Sequence, residues 1–436
     1  MMRLRSALGF LIVAAILAVV ALAAGVEATR SPLIALGLGA GVLLLGISAW
    51  QPALIPVAAT PLFLVAYRVG GASVDLSLSD AVLGVCTLLA IPFAPRPFSR
   101  ELRTLLWLDG VYQFATLFTV IANPHRANTT EWFHAWMLVS GALLVGWTIG
   151  RTGYARTATL LLMATTSALS VIALIEAAVH YAHGDFSALY VSWPYGMQKN
   201  AVGTLLSFTI VIVFANPPWL RLRRPVATTL IWLHAGGMLV TQSRQAIVAV
   251  ALALLVLSLR GGHSTRRRPE IAAFLVVPAL VVVAGLVKDQ IQTGNQFSSA
   301  NQRVVWYRLS FDHWMQSPLV GHGLRFWYYD PVIQFQPPNA ELEVAASAGF
   351  VGLAGFLVLM IGVLVVLWRL PPNLGTLAFT IVLTRFVQGQ MDLYWVAVQV
   401  PLPYIVAGIC LGLLPARREP PRTSDPAATR QLEILT

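Results

Sequence analysis

Residues 288–352 read KDQIQTGNQFSSANQRVVWYRLSFDHWMQSPLVGHGLRFWYYDPVIQFQPPNAELEVAASAGFVG, the longest break in an otherwise apolar chain. The stretch is polar enough to sit in water, yet it is rich in Trp, Tyr and Phe. It carries Arg303, Arg308 and Arg325 and runs straight back into a hydrophobic segment. It reads as an extracytoplasmic lid over a membrane-embedded site, with the remaining segments serving as its scaffold.

The composition around this stretch supports that reading. The 436 residues are 57% hydrophobic and 11% charged, whereas a soluble domain is about a quarter charged. Apolar runs of roughly 16–22 residues recur from end to end, about the length a helix needs to cross a bilayer. The expected fold class is therefore all-α: a polytopic transmembrane helical bundle of about 12–14 spans. One large extracytoplasmic loop, containing short amphipathic helices, interrupts it. The candidate spans lie near 7–25, 33–50, 53–68, 78–94, 103–122, 131–150, 155–178, 200–215, 225–241, 244–260, 271–288, 344–368, 373–390 and 397–415. The third, fourth and eighth are short or broken by proline. The first apolar run is longer than a signal-peptide core and reads as an uncleaved helix.

Five stretches follow from this pattern. Residues 1–190 form an N-terminal transmembrane scaffold, and 191–287 a transmembrane core with a basic turn on its outer face. Residues 288–343 are the extracytoplasmic loop, 344–415 the C-terminal transmembrane helices, and 416–436 a polar, Pro-rich cytoplasmic tail expected to be disordered.

Arginine placement sets the orientation. Arg3 and Arg5; Arg96, Arg100 and Arg103; Arg151 and Arg156; Arg221, Arg223 and Arg224; Arg260 and Arg266–Arg268; Arg369; and Arg417, Arg418, Arg422 and Arg430 fall on one side. Together they are 19 of 29 basic residues. The positive-inside rule places that side in the cytoplasm. Both termini are then cytoplasmic, the large loop lies outside, and the location is the cytoplasmic (inner) membrane. The same rule accounts for the net charge of +11 without a nucleic-acid partner. Cys86 and Cys410 both lie in apolar runs, which argues against a disulfide framework.

Ten basic residues break the bias: Arg30, Arg68, Arg126, Lys199, Arg244, Lys288, Arg303, Arg308, Arg325 and Arg385. A cation kept outside against topology needs a reason, and a bound anion is one. Arg30, Arg68, Arg126 and Lys288 read more simply as surface or snorkelling side chains. Arg244, in TQSRQAIV, sits in a very short outer turn at lipid-headgroup level, where its planar fork suits a phosphate. The competing reading is a structural cap on the preceding helix. Arg303 opens a stretch that reads as an interfacial helix, NQRVVWYRLSFDHWMQ, with Trp306, Tyr307, Ser310 and Trp314 on its side. Arg308 points elsewhere and has Asp312 four residues on, an ordinary helix ion pair. Arg325, after Gly321-His322-Gly323, could reach inward. Arg385 and Asp392 are two turns apart and read equally well as mutual neutralisation or as part of a site. Asp109 and Glu176 read as packing or hydration features. No metal-spaced His/Cys set occurs, and no cofactor is expected.

Three segments carry a family likeness: Tyr195-Gly196-Met197-Gln198-Lys199-Asn200-Ala201-Val202-Gly203; Thr241-Gln242-Ser243-Arg244; and Arg303…Trp306, Ser317-Pro318-Leu319-Val320-Gly321-His322-Gly323, Asn339…Leu342-Glu343…Gly349…Gly352. In order and spacing, roughly over residues 190–360, the chain resembles the bacterial O-antigen ligase and O-antigen polymerase superfamily. The resemblance implies a metal-independent glycosyltransferase on the outer face of the membrane. Its partners would be a polyprenyl-diphosphate-linked glycan donor, a lipid, glycan or protein acceptor, and membrane lipids. It implies that Arg244 and Arg303 hold the diphosphate, with Lys199 and Asn200 nearby. Such transfer needs cations on the leaving group and a base for the acceptor hydroxyl, unless the leaving group is good enough.

One position departs from the family pattern. Where these ligases usually carry His before the Asn of the loop exit, this chain has Pro338, in Gln336-Pro337-Pro338-Asn339. The base could then be Glu341 or Glu343, with Glu343 preferred, or His322 or His313 from elsewhere in the loop. Otherwise the branch uses another acceptor or has lost the reaction. The expected catalytic set is Arg244, Arg303 and Glu343, with Lys199, Asn200, Arg325, His322, Asn339 and Glu341 binding substrate. A repeat-unit polymerase is the alternative. A lipid-linked-glycan flippase fits less well, because it would place polar groups at midplane in both halves.

Overall fold

The computed structural model describes residues 32–69, 76–193, 195–260, 299–330 and 335–415. The candidate spans at 7–25 and 271–288, Lys288, Arg30, the loop up to residue 298 and the tail 416–436 lie outside the described residues.

All the regular structure described is helical, apart from isolated bridges at Arg68–Ser77 and Val191–Met197. In chain order the helices are α1 (Pro32–Trp50), α2 (Leu54–Ala58), α3 (Leu78–Phe93), α4 (Arg100–Ala122), α5 (Arg126–Arg151), α6 (Ala155–Ala182), α7 (Lys199–Ala215), α8 (Arg224–Thr241) and α9 (Arg244–Arg260). After the large gap come α10 (Ser299–Gln316), α11 (Ala340–Trp368), α12 (Pro372–Gly389) and α13 (Pro401–Gly412). Four of them, α4, α5, α6 and α11, are long and apolar enough to cross a membrane. The fold is an all-α membrane bundle.

α4 is inside out relative to a soluble helix. Trp107, Phe114, Phe118 and Ile121 are exposed, while Asp109, Gln113, Thr116 and Thr119 are buried. Lipid contact reverses the usual cost of exposing apolar groups, and the polar residues turn inward; Ser140 donates to Asp109, and Thr119 donates to the Ala348 carbonyl at 3.5 Å.

The segment 53–68, read as a span from sequence, is not one. It forms the single turn α2, then a 3-10 turn at Thr60–Leu64, and continues extended. Pro56 and Pro61 lack the N–H groups that would carry one helix through.

Local signals set the ends that matter for the site. Ser77 and Asp80 form a reciprocal capping box on α3, and the Asn339 side chain caps α11 by accepting from Leu342 N at 3.0 Å. Gln242, left-handed at φ 51°, closes α8, so that α9 starts two residues later. Gly146 and Gly150 on α5 lie against Gly408 and Gly412 on α13, where any Cβ would strike backbone. This small-residue spacing lets membrane helices touch.

The large loop is buttoned onto α11 at a break. Gly349 adopts φ 65°, ψ −166° inside that helix, which leaves helical backbone groups without their usual partners. Residues 318–323 supply replacements. His322 N and Gly323 N donate to the carbonyls of Ala346 and Ser347 at 3.2 and 2.9 Å. Phe350 N and Val351 N donate to the carbonyls of Pro318 and Leu319 at 2.7 and 3.2 Å. A Cβ on Gly321 would meet Ser347 backbone at 2.3 Å, and one on Gly349 would meet Leu319 backbone at 2.3 Å. Two of the glycines behind the family likeness are thus the two sides of one seam.

Candidate functional site

Three cations from separate elements converge at one end of the bundle. Lys199 opens α7, Arg244 opens α9, and Arg303 lies in α10. Lys199 feels both Arg244 and Arg303 as like charges, and Arg244 feels Arg303. All three side chains are half-buried.

The first two sequence motifs dock on one another to make this arrangement. Ser243 Oγ donates to Asn200 Oδ1 at 3.3 Å. Gly203, one turn along α7, leaves room for Ser243, whose Cβ would lie 2.5 Å from an added methyl. Asn200 therefore anchors the Arg244 turn, whatever else it touches.

Carboxylates and amides face the cations. Gln245 Nε2 donates to Asp392 Oδ2 at 2.8 Å, and Asp392 acts electrostatically on Lys199 and on Tyr307. The Tyr307 hydroxyl donates to the Gln390 carbonyl at 3.5 Å, and Asn339 Nδ2 donates to the same carbonyl at 3.2 Å. Gln390 Nε2 in turn donates to Glu341 Oε1 at 2.9 Å. Glu341 Oε2 is buried with no hydrogen-bond partner among the described residues. Burial pushes the Tyr307 phenol above its ordinary pKa; Arg303 opposes the rise and Asp392 adds to it.

Of the residues expected from sequence, Lys199, Asn200, Arg244 and Arg303 come together, with Asn339 and Glu341 joined to them through Gln390. Three others do not. Glu343 is buried and turned the other way, accepting from Gln336 Nε2 at 2.6 Å and Tyr394 N at 3.4 Å. Arg325 is buried against Glu131, which also meets His134 Nδ1 at 3.3 Å, while His134 Nε2 reaches Asp80 at 3.0 Å. That chain of alternating charge ties the loop to α5 and α3. His322 stacks on His313 with ring centroids 3.7 Å apart and donates from Nε2 to the His313 carbonyl at 2.8 Å.

Three nearby expectations also resolve. Arg308 is exposed and forms no ion pair with Asp312 among the described residues. Arg385 is fully buried and holds the carbonyls of Leu393 and Tyr394 and the Gln399 side chain. Asp392 still acts on it electrostatically, although α12 ends at Gly389 and the two do not share one helix. Glu176 accepts from Ser192 and Trp193, bracing the segment that leads to α7.

A known family matches the central segment. Residues 229–357 match the family model for O-antigen ligase. No curated protein matches the chain. Under a third of the chain is matched, but that part holds Arg244, Arg303, Asn339 and Glu341. The match supports the resemblance to the O-antigen ligase and polymerase superfamily and, in general terms, a glycosyltransferase embedded in a membrane.

Lys199, Gln390 and Asp392 lie outside the matched segment and reach the site only through the fold. Sequence reasoning missed Gln390 and Gln245 as members; it set Tyr307 beside Arg303 and left Asp392 open as part of a site. The signal for Asp392 was an acid in an apolar segment, which marks a site by default.

Proposed function

We propose that this protein transfers a glycan from a polyprenyl-diphosphate carrier to an acceptor hydroxyl, as a ligase, on the outer face of the cytoplasmic membrane. The observation that carries the reading is the convergence of Lys199, Arg244 and Arg303, three like charges gathered from three elements. Like charges brought together repel, so the arrangement suits a dianionic ligand that offsets the repulsion.

In the proposed reaction the acceptor oxygen bonds to the anomeric carbon of the donor glycan, and the bond from that carbon to the diphosphate oxygen breaks. The electron pair stays on the diphosphate, where Arg244, Arg303 and Lys199 stabilise the charge. The hydroxyl proton passes to a carboxylate. Asp392 is assigned that role, since it faces the cations and is oriented by Gln245. Glu341, one link away through Gln390, is the reserve candidate. Glu343, Arg325 and His322 act by holding the loop and its neighbours in place.

The test uses purified protein, a polyprenyl-diphosphate oligosaccharide and candidate acceptors, scored for free carrier diphosphate. Arg244→Ala and Arg303→Ala should each abolish release while the protein still inserts and folds. Wild-type turnover in either variant would remove the diphosphate assignment. Single additions to the acceptor fit a ligase; a ladder of repeats would make the protein a polymerase.

A further inference from the structure

A charged cavity lies at the end of the bundle opposite the cation cluster. α9 spans the distance: Arg244 opens it in the cation cluster, and Arg260 at its other end donates to the Trp368 and Leu370 carbonyls. Its 17 residues place those ends about 25 Å apart. Beside Leu370 is a cavity of about 890 Å³. Arg100, Arg103, Arg151 and Arg369 line it, with Glu101 as the one acid in its lining.

The guanidinium groups mark a plane. Arg100 is the first residue of candidate span α4, Arg151 the last of α5, and Arg369 directly follows α11. Arg103 is one turn beyond Arg100 on the same side. Between the charges the wall is apolar and aromatic. Phe98 meets Trp147 edge-on at 6.0 Å, Arg151 lies 5.8 Å from the Trp147 ring, and Val366 and Leu370 continue the surface. Arg151 also donates to the Leu414 carbonyl at 3.2 Å. The cavity therefore offers three more positive than negative side chains, set on an apolar floor where three spans end.

From this geometry we infer that the cavity binds the phosphate-bearing headgroup of an anionic phospholipid. The arginines meet the phosphate, and the upper acyl carbons lie on the Trp147 and Leu370 side. Arginine at a span boundary, next to an indole, is the arrangement that holds such headgroups. A free anion would satisfy the arginines but leave the apolar floor unused. The chain beyond Pro415 has four arginines and three acidic residues, so it brings no net negative charge to the cavity. This site does not depend on the glycosyl-transfer reading.

The test is native mass spectrometry and thermal unfolding of the full chain in non-ionic detergent. The protein is titrated with cardiolipin, with phosphatidylglycerol, with phosphatidylcholine of matched acyl chains, and with inorganic phosphate. The anionic lipids should be retained and should raise the unfolding temperature. Phosphatidylcholine and phosphate should do neither at the same concentration. Arg100→Gln with Arg369→Gln should weaken anionic-lipid binding roughly 25-fold, about five-fold per arginine, and leave glycan transfer in detergent unchanged. Arg223→Gln, exposed at the same end but outside the cavity, should bind as wild type. Equal retention of phosphatidylcholine, undiminished binding by the double variant, or binding of phosphate as tight as that of lipid would each overturn the inference. So would lipid binding that emerges only when 416–436 is deleted, since the tail would then be the occupant.

Discussion

Gly349→Ala tests the seam that carries the large loop. At φ 65°, ψ −166° the backbone is in a region open almost only to glycine, and a side chain there costs about 1–3 kcal/mol. The new methyl would also lie 2.3 Å from the Leu319 carbonyl carbon, 2.4 Å from its oxygen and 2.5 Å from Val320 N. Backbone must retreat by roughly 1 Å to reach ordinary contact, which breaks the four hydrogen bonds between 318–323 and 346–351. At about 0.5–1.5 kcal/mol each, those bonds contribute ~2–6 kcal/mol. The local loss of ~3–9 kcal/mol is comparable to the whole stability of many domains. The loop should therefore detach while the apolar bundle persists. Hydrogen exchange on detergent-solubilised protein should show His322, Gly323, Phe350 and Val351 amides losing at least 100-fold protection, with α7 and α9 unchanged. Gly321→Ala attacks the same seam from the loop side, so the double variant should be little worse than either single one. Full protection of 318–323 in Gly349→Ala would refute the reasoning.

Other consequences concern the buried charges and the site. Glu131→Gln removes the carboxylate that Arg325 and His134 share and should cost about 3–5 kcal/mol, read as a lower unfolding midpoint; the double variant with Arg325→Met should recover part of it. Asp392→Asn should lower kcat ~100-fold while donor binding, measured separately, holds or tightens, because one negative charge near three cations is gone. An unchanged kcat there, with a loss in Glu341→Gln, would move the proton-accepting role to Glu341. His313 titrates below its ordinary value because of burial first and the neighbouring His322 second, with Asp330 opposing. The neutral ring is the one favoured by folding. Its contribution is complete above the unfolded pKa of about 6.5 and is lost as pH falls through the folded value. The unfolding midpoint should drop on mild acidification, and His313→Gln should flatten that dependence.

What the sequence determined by itself was the membrane bundle and the isolated aromatic loop; it singled out Arg244 and Arg303 one at a time, and only the family resemblance paired them. Apolar run length, charge asymmetry and headgroup-level arginines are local properties, and a bilayer constrains them strongly enough to be read residue by residue. Even the Asn200, Gly203, Gly321 and Gly349 pattern was visible, although its purpose was not. Asn200 and Gly203 seat the Arg244 turn, and the other two close a backbone seam across 28 residues.

Only the tertiary structure decided which charges share a site. Arg303 and Arg325 were both open as ligands in one loop; in the fold Arg303 faces two other cations and Arg325 is buried against Glu131. Glu341 and Glu343 are two residues apart on a helix, so their side chains leave it about 200° apart, and only packing could say which one meets Gln390. Asp392 read equally well as a neutraliser of Arg385 or as part of a site, and the fold brings it within reach of Lys199 and Tyr307 as well as Arg385. Electrostatic partnership depends on distance through space and on the dielectric between groups, and neither is a function of separation along the chain.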